Sequence, residues 1–119
     1  MLFRSPLERL RTTGIRLGVS THGYAEMMRA DAVAPSYLAL GAVFPTTLKR
    51  MATPPQGLAR LKCYAQLMSH RPLVGIGGID QGRFAEIQAC GVGSVAVVRA
   101  IVGAEKPEAA ARALMTTWG

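Results

Sequence analysis

Residues 37–49 read YLALGAVFPTTLK. A short apolar run enters Pro45, then Thr46, Thr47 and Lys49. This pattern predicts a buried strand whose tip presents two hydroxyls and an ammonium. Hydroxyls and backbone N–H groups at such a tip can hold phosphate oxygens, and a lysine neutralises them. A solvated loop after a strand fits the same residues. The phosphate reading gains weight by recurrence, because an apolar run followed by a polar turn occurs four times along the chain.

Strands are expected near residues 16–20, 37–41, 73–76 and 94–98. Each is a short apolar run without polar alternation, as for strands covered on both faces. Helices are expected between and around them, near 5–13, 23–32, 55–69, 81–89 and 106–118. Ser5 suits an N-cap with Pro6 at the first helical position and Gly14 as the stop. Asp80 suits the N-cap of the fourth helix. Leu58, Leu61, Ala65 and Met68 fall on one face of the third. Strands alternating with helices imply right-handed βαβ units and a parallel sheet. No linker or composition break divides the 119 residues, so a single α/β domain is expected.

Half of the residues are apolar, which supports a packed core. No run of about 18 apolar residues suggests a membrane span. The opening residues carry Arg4, Glu8, Arg9 and Arg11 and lack a secretory pattern, so cytoplasmic residence is expected. Net charge is +7, but the basic residues are scattered and not interleaved with aromatics. That argues against nucleic acid and for anionic small molecules or a solubilising surface. Cys63 and Cys90 fall in helical segments and are expected to be buried free thiols.

The polar groups collect after the strands, at the edge where α/β sheets and barrels bind ligands. They are Thr21 and His22, then Thr46, Thr47 and Lys49, then Gly77-Gly78, then Arg99. The Gly75–Ile79 stretch does not follow GxGxxG, which disfavours a dinucleotide. It suits either a phosphate site built from the last strand ends of a barrel or a tight turn needing positive φ. His22 suits an acid–base group or a structural histidine. His70 falls on the opposite edge. The seven acidic residues are isolated, and no pair of carboxylates suits Mg²⁺.

Taken together, these segments resemble thiamine-phosphate synthase. The matching stretches are LGVSTH at 17–22, PSY at 35–37 through Lys49, PQGL at 55–58, GIGGI at 75–79 and GVGSVAVV at 91–98. The resemblance implies half of a (β/α)₈ barrel, a (βα)₄ unit corresponding to strands five to eight. It implies condensation of hydroxymethylpyrimidine pyrophosphate with thiazole phosphate, giving thiamine phosphate and pyrophosphate. It also implies Mg²⁺, with ligands outside this chain. By position, Ser20 and Lys49 would contact the pyrophosphate, with Lys49 the catalytic cation. Thr46, Thr47, Gly78 and Val98 would hold the thiazole phosphate. Two positions depart from the family pattern: Leu48 stands where a second threonine is usual, and Arg99 where a serine follows the last strand. The implied partners are phosphorylated small molecules and either a missing N-terminal half-barrel or a second copy. A non-catalytic phosphate-binding or dimerising half-barrel and a thiazole tautomerase-like protein, using His22, are the alternatives.

Overall fold

The computed structural model describes residues 4–45 and 55–118. The elements are α1 (Arg4–Thr13), β1 (Gly18–Thr21), α2 (Tyr24–Asp31), β2 (Tyr37–Leu40), α3 (Gly57–Leu67), β3 (Leu73–Ile76), α4 (Phe84–Ala89), β4 (Ser94–Ala96), α5 (Arg99–Val102) and α6 (Pro107–Trp118). A 3₁₀ turn, Gln81–Arg83, leads into α4. The four strands form one parallel sheet in the order β1-β2-β3-β4. Sequential, parallel, helix-linked strands make the chain half of a (β/α)₈ barrel.

Register assigns the two faces. Val19 pairs with Leu38 and Leu38 with Leu73, while Ser20 pairs with Ala39, Ala39 with Val74 and Val74 with Ser94. Side chains alternate along a strand, so the first row faces one way and the second the other. Leu38, Leu40 and Leu73 join the core with Met27, Leu61, Met68, Phe84, Ile87 and Leu114 from the helices. Among the described residues, no helix covers the other face. On it Ser20, Tyr37 and Ser94 are exposed, and Val74 and Ile76 are half-buried.

Several expectations need correction. Apolar strands were expected to be covered on both faces, but among the described residues helices cover only one, because the second face of half a barrel has no opposing strands to close against. Helix α1 opens at Arg4, ahead of the Ser5 cap expected. Asp80 stands at the N-cap position, but its side chain makes no cap hydrogen bond. Cys63 is exposed on α3, whereas Cys90 is buried. Burial pushes the Cys90 thiol up. The fourth strand ends at Ala96, and Arg99–Val102, read as loop, forms the short helix α5. The α3 face is as expected, with Leu61, Ala65 and Met68 buried and Leu58 packed beside them.

Candidate active site

The C-terminal ends of the strands lie side by side, and neighbouring strands are about 4.8 Å apart. At the tip of β1, Ser20 is exposed on the helix-free face. Thr21, next along, points the other way and is buried; its hydroxyl donates to the Ala39 carbonyl at 2.9 Å. The β2 and β3 tips are stitched together by Val43 N donating to Ile76 O (3.0 Å) and Phe44 N donating to Gly77 O (3.1 Å). This brings the turn after β3 against the entry to the segment carrying Thr46, Thr47, Leu48 and Lys49. Those four residues lie outside the described part of the structure.

Gly77 and Gly78 both have positive φ, +107° and +64°. A Cβ on Gly78 would stand 2.5 Å from the Pro45 carbonyl oxygen, and one on Gly77 2.6 Å from the Ala42 Cβ. Glycine therefore fits both positions where a side chain would meet strain and a close contact. That satisfies the tight-turn reading, and it also leaves an exposed backbone at the barrel mouth. Val98 caps α5, and Arg99 opens it, both exposed. Ser20, Gly78 and Val98 thus share one edge of the sheet, spread over about 14 Å from the first strand to the fourth.

Two contributors escaped the sequence reading. Gln56 ends the segment that begins at Pro45. Its backbone N donates to Ala42 O (2.7 Å), and its side-chain Nε2 donates to His22 O (2.9 Å). Gly57 N donates to Val43 O at 2.9 Å. The two ends of this segment are therefore fastened to the same strand tip, and its far end also to the residue after β1. The second is Arg83, whose guanidinium lies 3.8 Å over the Phe44 ring. Gln56 falls in the quoted PQGL stretch, but nothing local signals its bond to a residue 34 positions away.

His22 is half-exposed and engaged within its own segment. Its Nδ1 lies 3.0 Å from Glu26 Oε1, and its backbone N donates to the same oxygen at 3.2 Å. The hydrogen bond from His22 holds the Glu26 carboxyl below the usual carboxylate range. This geometry clamps the first turn of α2 and favours the structural reading of His22. On the opposite edge, Asp31 accepts from Arg71 Nε at 2.7 Å and meets His70 Nε2 at 3.0 Å. His70 is thereby placed away from the strand tips, as expected.

Among the described residues, no three of His, Cys, Asp and Glu are grouped to hold a metal ion. The carboxylates nearest the site edge are Glu26, taken by His22, and Asp80. The described residues do not by themselves fit a Mg²⁺ centre.

Residues 5–101 match the family model TMP-TENI, thiamine monophosphate synthase. The chain belongs to the thiamine monophosphate synthase family. It is 47% identical over 112 residues to thiamine-phosphate synthase of Neisseria meningitidis serogroup A, covering 94% of this chain and 55% of the relative. The thiamine phosphate pyrophosphorylase structure from Pyrococcus furiosus superposes with a TM-score of 0.80 at 29% identity, covering 95% of this chain and 54% of that one. A 3-hexulose-6-phosphate synthase structure shares the fold at TM-score 0.71 and 19% identity, again with 55% of its length covered. The chain spans about half the length of the relatives it matches. No helix among the described residues is long and apolar enough to cross a membrane.

Proposed function

We propose that this chain is a single domain supplying strands five to eight of a thiamine-phosphate synthase barrel in the cytoplasm. In that reading it takes part in joining hydroxymethylpyrimidine pyrophosphate to thiazole phosphate. The observation that carries the reading is the gathering of Ser20, Gly78, Val98 and the Pro45 segment at one strand edge, in a chain of this family.

The reaction needs charge stabilisation more than acid–base work. The carbon–oxygen bond of the pyrimidine methylene breaks with its electron pair leaving on pyrophosphate. The thiazole nitrogen lone pair then forms the new carbon–nitrogen bond to the resulting cation. Lys49 and Ser20 bind the departing pyrophosphate, and Lys49 offsets the charge it gains. Thr46, Thr47, the Gly78 backbone and Val98 hold the thiazole phosphate, which places the nucleophile. Arg99 adds a guanidinium at that phosphate in place of the usual serine. Leu48 presents no hydroxyl, so Thr47 takes the second contact. Mg²⁺, where bound, would supply further charge on the leaving group, held by residues outside this chain.

Isothermal titration with thiazole phosphate tests the reading. Saturable heat at or below millimolar ligand supports it, and none at millimolar ligand overturns it. A charged hydrogen bond contributes about 1.5–3 kcal/mol. In a barrel completed with its other half and Mg²⁺, Lys49→Ala should therefore lower turnover on the order of tenfold to a hundredfold or more. An unchanged rate would remove Lys49 from the mechanism. Robust turnover by this chain alone would overturn its incompleteness.

A further inference from the structure

Gly77 and Gly78 stand side by side at the tip of β3, and glycine has the widest choice of backbone conformations of any residue. Two in a row hold one shape only where the surroundings impose it. On the inner side, Ile79 is buried in the core. On the other side the turn meets the exit of β2. Phe44 N donates to Gly77 O at 3.1 Å. A Cβ on Gly78 would stand 2.9 Å from the Phe44 Cβ and 3.1 Å from its carbonyl oxygen.

Phe44 has a further partner. The Arg83 guanidinium lies 3.8 Å over its ring. Arg83 ends the 3₁₀ turn of the same connection, and its backbone N donates to Asp80 O at 3.1 Å. The connection from Gly77 to Arg83 thus meets Phe44 at both ends, by a backbone hydrogen bond at one and a cation over an aromatic face at the other. Among the described residues no carboxylate lies within ion-pair distance of Arg83, and its side chain is half-buried. The ring is therefore what holds it. A guanidinium suits that place because it is flat and less strongly hydrated than an ammonium.

We infer that Arg83 is a positioning residue for the phosphate subsite: stacked on Phe44, it clamps the Gly77–Gly78 turn in the shape that offers its backbone to a phosphate, without itself touching the ligand. A turn already held in its binding shape loses less conformational freedom when the anion arrives, so the clamp acts on affinity. The inference deepens the proposed thiazole phosphate site and rests on that reading for its ligand, but not for the clamp.

The test uses the full chain. Arg83→Gln removes the cation, and Arg83 is not a core residue, so circular dichroism should show the variant folded. The first readout needs no ligand. By NMR, the Phe44 amide should exchange its hydrogen about three- to tenfold faster in Arg83→Gln, the span of a cation–π contact. The Val43 amide, which donates to Ile76 O, should keep its rate. The second readout is isothermal titration with thiazole phosphate, which should bind about three- to tenfold more weakly to Arg83→Gln. Arg83→Lys keeps a cation over the ring and should recover part of that loss. Phe44→Leu should weaken binding by a similar factor, and adding Arg83→Gln to it should cost nothing more, because both remove one contact.

Unchanged exchange at Phe44 would overturn the inference. So would exchange that rises equally at Phe44 and Val43, parent-like affinity in Arg83→Gln, or Arg83→Lys as weak as Arg83→Gln. Additive losses from Phe44→Leu and Arg83→Gln would make Arg83 a direct phosphate ligand and overturn the positioning role. Should Phe44→Leu not fold, exchange and affinity in the two Arg83 variants decide. If the parent chain gives no heat with thiazole phosphate, the proposed site falls, and the exchange rates alone decide whether the clamp stands.

Discussion

Gly78 and Ala34 share a backbone conformation, at φ +64° and +53°, with opposite consequences for substitution. At Gly78 an added Cβ would stand 2.5 Å from the Pro45 carbonyl oxygen. Gly78→Ala adds both the conformational cost of about 1–2 kcal/mol and a close contact. The expected loss is about 2 kcal/mol or more, read from the urea midpoint, together with weaker phosphate binding. At Ala34 the side chain is tolerated at a cost, in the turn where Ala34 N donates to Asp31 O. Ala34→Gly should stabilise by up to about 1 kcal/mol, the relief of that strain less the added freedom of the unfolded chain. A lower urea midpoint would contradict it. Glycine at 78 was legible as a turn or phosphate position. Nothing in the sequence marked Ala34, whose conformation follows from the return of α2 into β2 ahead of Pro35.

At the scale of elements, Asp31 fastens the end of α2 to the entry of β3. Its carboxylate accepts from Arg71 and meets His70, and its carbonyl accepts from Arg71 Nη2 at 3.2 Å. Arg71, then His70, hold the Asp31 carboxyl below its usual 3.8. A carboxyl whose folded value is depressed stabilises the fold above its unfolded value and loses that contribution as pH falls through the folded one. Asp31→Asn should therefore unfold at lower urea than the parent chain near pH 7. The gap should be full above about pH 5 and close progressively below pH 4. A gap independent of pH would show that the ion pair does not contribute. This tie was beyond the sequence, where Asp31 stood as an isolated acid, because its partners lie about 40 positions away. The apolar runs of β2 and β3 were legible because burial of a short strand leaves a local mark. The end of β4 was misplaced because Val97 and Val98 continue the apolar run after pairing has stopped.

At the scale of the molecule, one core joins every strand to α2, α3, α4 and α6. Phe84 is buried in it, with Trp118 meeting its ring edge-on at 5.3 Å between centroids. Phe84→Ala should cost about 3–5 kcal/mol. Domains of this size are stable by only about 5–15 kcal/mol, so the cooperative thermal transition should fall steeply or vanish. A loss of less than about 1 kcal/mol would mean the core is not shared. The radius of gyration, 15.4 Å, exceeds the roughly 13.5 Å of a compact domain of this length, in keeping with half of a closed architecture. The sequence by itself determined the order of strands and helices, the parallel sheet and the edge at which polar groups collect, because hydrophobic periodicity and turn residues act over a few positions. Only the tertiary structure decided which face of the sheet no described helix covers, that α1 stands apart from the core, and that Gln56 ties to Ala42 and His22 while Arg83 lies over Phe44. Those depend on contacts between residues far apart in the chain, and such contacts leave no pattern in either segment alone.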